Sequence, residues 1–239
     1  MSLETNEATP DLMAGVRRNA SVYIYEAPVR LWHWVNAACV VILALTGYVM
    51  GNPPISLHGE ASDSFVFGFI RAIHFSAAYV FAIFFFFRVY WAFVGNKYAR
   101  QIFVLPVWQK SFWVEVRIEL EWYLFLRKYP KKYMGHNPMA HIIMFFLTTL
   151  LSLFMIFTGF ALYSQGTGNE SWQAAVFQWV FLIFPNSQDV HMIHRMGMWL
   201  FIVYSIAHIY AALREDIMSR QSMLSTMISG RRMFKDDLP

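Results

Sequence analysis

Four runs of the chain approach the roughly twenty apolar residues that a membrane-spanning helix needs, and few folds accommodate them. They cover about 31–50, 70–94, 138–163 and 190–213. Gly51 and the Asn52-Pro53-Pro54 breaker end the first. Asn137 as N-cap and Pro138 at the first helical position open the third. The composition agrees: 57% hydrophobic and only 14% charged, against roughly 25% charged in an ordinary soluble domain. The expected architecture is all-α, a single four-helix bundle integral to a lipid bilayer.

The charges are sorted along the chain. Residues 51–69 and 164–189 hold Glu60, Asp63, Glu170 and Asp189 but no Lys or Arg. The connection 95–137 carries Lys97, Arg100, Lys110, Arg117, Arg127, Lys128, Lys131 and Lys132. Arg17, Arg18 and Arg30 precede the first run, and Arg214, Arg220, Arg231, Arg232 and Lys235 follow the fourth. Cationic loops stay on the cytoplasmic side of a membrane, so both termini and 95–137 are expected there. A pI near 9.2 then reflects membrane sidedness, and no nucleic-acid partner is expected. Within 95–137, Trp113, Val116, Leu120, Tyr123 and Leu124 recur at helical spacing, which predicts an amphipathic helix lying on the headgroups. A partner-binding helix is the alternative. Residues 1–22 lack periodicity and read as a flexible lead-in without the pattern of a cleavable signal. Residues 218–239 read as a cytoplasmic tail.

Cys39 is the only cysteine. One thiol excludes an internal disulfide, a cysteine zinc cluster, a four-cysteine iron–sulfur site and covalent haem attachment through CxxCH.

The histidines carry the chemistry. His194 and His208 are fourteen residues apart in the fourth run. That is about 40° short of four helical turns and roughly 21 Å along the axis, so one helix face presents an imidazole toward each side of the membrane. His33, in Trp32-His33-Trp34, lies at the cytoplasmic end of the first run and His74 near the outer end of the second. Depth therefore pairs His33 with His208 and His74 with His194. A lone intramembrane histidine usually packs and hydrogen-bonds. Four that pair by depth fit bis-imidazole haem iron, since neutral imidazole satisfies the metal without burying a charge.

Arg71 and Arg195, the only cations on the outer side, each stand within one turn of an outer histidine. Haem propionate pairing and interfacial snorkelling fit them equally. Gly47 and Gly159, in the echoed segments Thr46-Gly47-Tyr48 and Thr158-Gly159-Phe160, lie at the same depth. They suit close porphyrin approach or close helix packing. His191 is a second choice to His194, being rotated about 100° from the face shared with His208. His58 reads as a solvated loop residue. His136 and His141 read first as hydrated or packed groups, with a quinone or proton site as the alternative.

Several segments resemble the b-type cytochrome subunit of membrane-bound nickel–iron uptake hydrogenases. They are Tyr25-Glu26-Ala27-Pro28-Val29-Arg30-Leu31-Trp32-His33-Trp34, Ile70-Arg71-Ala72-Ile73-His74-Phe75, Gly135-His136-Asn137-Pro138, Thr158-Gly159-Phe160-Ala161-Leu162-Tyr163, and His208-Ile209-Tyr210-Ala211-Ala212-Leu213-Arg214-Glu215-Asp216-Ile217-Met218. The resemblance runs from about Val22 to the C-terminus and departs from the pattern at His141. It implies a four-helix cytochrome over 23–217 with two b-type haems, in the bacterial inner membrane. His74 and His194 would hold the outer haem, and His33 and His208 the inner one. The hydrogenase small and large subunits would sit on the periplasmic face, and quinone would accept the electrons.

Tyr210, Arg214, Glu215 and Asp216, within about two turns of His208, are candidates for the quinone site, with helix capping and snorkelling as the plain alternative. The chain lacks the cysteines that nickel–iron chemistry requires, so it does not itself activate hydrogen. The cytochrome subunit of another oxidoreductase such as formate dehydrogenase, a metal or proton transporter using the histidines as a relay, and a pure membrane anchor are the competing readings.

Overall fold

The computed structural model describes residues 21–53 and 65–233. The lead-in up to residue 20, residues 54–64 with His58, and tail residues 234–239 lie outside the described residues. Four helices among the described residues are long and apolar enough to cross a membrane: α1 (Ala27–Gly51), α2 (Val66–Val94), α4 (Pro138–Thr167) and α7 (Ser187–Met218). The shortest has 25 residues, about 38 Å of helix against a hydrocarbon core of roughly 30 Å. This is the membrane helical bundle expected from the apolar runs. The helices outrun those runs at several ends, where polar first and last turns continue the backbone ladder. Pro28 is tolerated in the first turn of α1, where its missing N–H has no helical partner to lose. Asn137 caps α4 as predicted, its side chain accepting from the Ala140 N–H at 2.7 Å. Within α4 a π-helical turn spans Phe145–Leu150.

Shorter elements complete the chain: β1 (Ser21–Tyr23), α3 (Lys110–Tyr123), α5 (Trp172–Phe177), α6 (Val180–Ile183), α8 (Met223–Ser229) and β2 (Arg231–Met233). The strands pair antiparallel, with Val22 opposite Arg232, a small addition to an otherwise all-α chain. The molecule divides into two compact units. One comprises Met1–His33, Arg88–Thr149 and Ile206–Pro239; the other comprises Trp34–Phe87 and Leu150–Ser205.

The first unit is tied together by polar side chains. Glu26 accepts from the Trp91 indole N–H at 2.9 Å and the Asn96 N–H at 3.0 Å, while the Asn96 amide donates to the Ile24 carbonyl at 2.8 Å. Ile24, Tyr25, Val29, Tyr98 and Ala99 form a buried apolar cluster around this junction. Arg232 is buried and donates to the carbonyls of Tyr133 and Gly135, both at 2.8 Å. Arg88, also buried, donates to the Ala99 carbonyl and lies over the rings of Trp32 and Phe103.

The predicted helix of the basic connection is present as α3. Its packing differs from a single apolar stripe. Phe112, Glu119 and Trp122 are its buried face, whereas Trp113, Leu120 and the capping Leu124 are exposed. The helix is therefore apolar on two sides. Trp122 donates to Glu215 at 2.9 Å, and Arg214 bridges Glu215 at 3.1 Å and the Trp122 carbonyl at 3.0 Å.

The second unit packs aromatic rings between the end of α4 and the short helices. Phe160 stacks on Phe177 with centroids 5.1 Å apart. Trp179 meets Phe157 edge-on, and Gln173 donates to the Tyr79 hydroxyl at 2.8 Å.

Two measurements test the α3 packing. Trp122→Phe removes a buried donor to Glu215 and should cost about 1–3 kcal/mol, read as a lower thermal midpoint in detergent. Burial, reinforced by Glu215, raises the Glu119 carboxyl from 4.5 to about 7. The unfolded chain loses that proton first, so the stabilisation is complete below about pH 4.5 and is lost as pH rises through 7. Glu119→Gln should match the parent at pH 5 and melt higher at pH 8; a pH-independent difference would contradict the buried protonated acid.

Candidate functional site

The second unit brings His74 of α2 and His194 of α7 to one cavity of about 810 Å³. Gly47, Gly159, Arg71 and Arg195 line it as well. The two imidazoles are held alike. His74 Nδ1 lies 2.8 Å from the Thr46 hydroxyl, and His194 Nδ1 lies 2.7 Å from the Thr158 hydroxyl. The residue after each threonine is a glycine, and each glycine makes room for the ring itself. A Cβ on Gly47 would stand 3.3 Å from His74 Cε1, and one on Gly159 would stand 3.1 Å from His194 Cε1. The close approach these glycines allow is thus first of all that of the imidazole.

Arg195 donates to the Asn52 side-chain oxygen at 3.0 Å. Arg71 lies over the Phe75 ring at 5.8 Å from its centroid. Both are exposed along the cavity, where a guanidinium can meet a carboxylate. His191 also lines the cavity, but its Nδ1 donates to the Ser187 carbonyl at 2.9 Å, one turn back on its own helix. The residues fit a porphyrin between two imidazoles: paired nitrogen donors from different helices, a mostly apolar lining and two cations.

In the first unit, His33 of α1 and His208 of α7 face each other with ring centroids 6.3 Å apart and planes at 50°. A second group of polar side chains stands in the same unit. The His136 ring lies 5.3 Å from that of Tyr25 with their planes tilted at 39°, the Tyr25 hydroxyl is within hydrogen-bond distance of the imidazole, and His136 meets the Gln101 side-chain oxygen at 3.2 Å. Burial holds His136 well below the usual histidine range, and the neighbouring His141, Arg232, His208 and Arg88 push the same way. These surroundings favour the neutral imidazole at His136. His141 is buried with its ring 6.0 Å from that of His136. Both rings pack against neighbouring side chains.

The four residues grouped beyond His208 have separate surroundings. Tyr210 is exposed. Arg214 and Glu215 are buried against Trp122, with Arg214 also over the rings of Tyr123 and Phe125. Asp216 accepts from the Leu224 N–H at 3.1 Å at the start of α8. Sequence reading assigned no role to Thr46, Thr158, Tyr25, Gln101, Arg88 or Arg232. The repeated Thr-Gly pair and Arg88, deep inside the second apolar run, were the available signals.

Residues 24–230 match the family model described as prokaryotic cytochrome b561. A probable Ni/Fe-hydrogenase B-type cytochrome subunit of Rhizobium leguminosarum bv. viciae is 58% identical over 216 residues, covering 90% of each chain. The protein of that name from Azotobacter vinelandii is 52% identical over 239 residues, 100% of each chain. A probable Ni/Fe-hydrogenase 1 B-type cytochrome subunit of Escherichia coli (strain K12) is 49% identical over 219 residues, covering 90% of this chain and 92% of its own. With these relatives and a family match over nearly its whole length, the chain belongs to the prokaryotic cytochrome b561 family.

Proposed function

We propose that the chain is a membrane-anchoring dihaem cytochrome b, carrying electrons from a periplasmic nickel–iron hydrogenase to the quinone pool. The observation that carries this reading is the pairing of histidines within each unit. His74 and His194 share one cavity, and His33 and His208 face each other at 6.3 Å. Its relatives' names, as Ni/Fe-hydrogenase B-type cytochrome subunits, support the hydrogenase as electron source.

A haem b held at each pair would supply one-electron chemistry at its iron. The protein's part is to hold and insulate. His74 and His194 would hold the haem nearer the hydrogenase through their imidazole nitrogens, and Arg71 and Arg195 would meet its propionates. His33 and His208 would hold the haem nearer the quinone in the same way. Apolar lining such as Phe81, Met198 and Phe201 keeps water from the outer site. Quinone meets the chain near the end of α7, where Tyr210 is the exposed member of the group proposed for it. Arg214, Glu215 and Asp216 support that end from within. The Lys and Arg bias supports an inner-membrane orientation with both termini in the cytoplasm.

The purified complex should yield two haems per cytochrome chain by pyridine haemochrome, with b-type bands in a reduced-minus-oxidised spectrum. A transporter or a bare anchor would yield none. His208→Ala should remove one haem and stop quinone reduction, while the attached hydrogenase still reduces an artificial dye. Unchanged haem content in that variant would overturn the ligand assignment. A soluble partner other than a hydrogenase on co-purification would overturn the electron source.

A further inference from the structure

We propose that Thr46 and Thr158 are positioning residues that fix the tautomer of His74 and His194 and tune their strength as donors to iron. The proposal rests on the reading of those two histidines as axial ligands, and it deepens that reading.

The argument is a count of protons. Thr46 Oγ1 lies 2.6 Å from the Ile42 carbonyl and 2.8 Å from His74 Nδ1. Thr158 Oγ1 lies 2.7 Å from the Phe154 carbonyl and 2.7 Å from His194 Nδ1. A hydroxyl has one proton to give, and a carbonyl oxygen can only accept. In each case the hydroxyl proton goes to the carbonyl one turn back, so the hydroxyl oxygen accepts from the imidazole Nδ1–H. Each ring therefore carries its proton on Nδ1 and keeps the Nε2 lone pair for metal. The reverse arrangement, hydroxyl donating to Nδ1, would protonate Nε2 and block it.

The glycine that follows each threonine fixes the same ring from a second direction, with the would-be Cβ positions 3.3 Å and 3.1 Å from Cε1. The Thr-Gly pair thus acts as a two-point seat, built once on α1 for a histidine of α2 and once on α4 for a histidine of α7. A hydroxyl that is already donating is a stronger acceptor. It draws the Nδ1 proton, makes the imidazole more basic and favours ferric over ferrous iron. Losing it raises the reduction potential of the iron at that site.

The test uses the full chain in its complex, with Thr46→Val and Thr158→Val for loss of the hydroxyl and Thr→Ser at each position for its retention. Potentiometric titration of the two haems and the electron paramagnetic resonance of the ferric protein are read together with haem content. Each Val variant should shift one of the two potentials upward, leave the other in place and alter one low-spin signal, with the Ser variant close to the parent. Loss of one haem in the Val variant with retention in the Ser variant supports the same conclusion. Val variants that keep both haems with parental potentials would overturn the proposal. Equal loss in Val and Ser variants would also overturn it, because packing rather than the hydroxyl would then be responsible. Failure of the underlying ligand reading is separate: His74→Ala and His194→Ala would then retain both haems.

Discussion

A backbone inside hydrocarbon has no water to bond with, so every peptide group must find its partner within the protein. That constraint shapes all else in this chain. It makes each apolar run a helix and obliges polar side chains on those helices to find acceptors close by. Thr46, Thr158 and Ser205 all donate to the carbonyl one turn back. For Ser205 that bond only satisfies a hydroxyl. For the two threonines it also decides which way a neighbouring histidine must hydrogen-bond. The bond that conceals a hydroxyl from lipid thereby sets the chemistry of an imidazole.

The first unit satisfies buried charges as well as hydroxyls through backbone carbonyls. Arg88, Arg214 and Arg232 are buried, and all three donate to backbone carbonyls. Arg214 and Glu215 also form a buried ion pair held by Trp122. Such pairs contribute little net stability, but breaking one leaves an uncompensated charge. Their effect is to determine how α3 and the end of α7 pack. The pairing of β1 with β2 joins the beginning of the described chain to its end, beside the helix that carries His33. Residues Ser21–Tyr23, about ten positions before that histidine, are thus bound to a segment some two hundred positions away.

Much of the candidate site was legible because its signals are local. A histidine in an apolar run is conspicuous, and helix geometry converts its position into a depth. The helix of the basic connection was legible in its existence and only partly in its packing. Trp113 and Leu120 mark one apolar face by spacing, yet Phe112, Glu119 and Trp122 form the face that packs. A buried glutamate is invisible to a search for apolar stripes. Tyr210, Arg214, Glu215 and Asp216 looked alike as polar groups near one helix end. Packing then distributed them among exposure, an ion pair and the start of α8.

The sequence by itself determined the number and approximate extent of the membrane helices and which of them carries each histidine. Those properties depend on apolar length and helical period, which neighbouring residues define. Only the tertiary structure decided which hydroxyl meets which imidazole, which glycine leaves space for it and which carboxyl is buried. Thr46 and His74 are 28 residues apart, Thr158 and His194 36, and Trp122 and Glu215 93. Across such separations no periodicity specifies a partner, and contacts of a few ångströms arise only from how the helices pack.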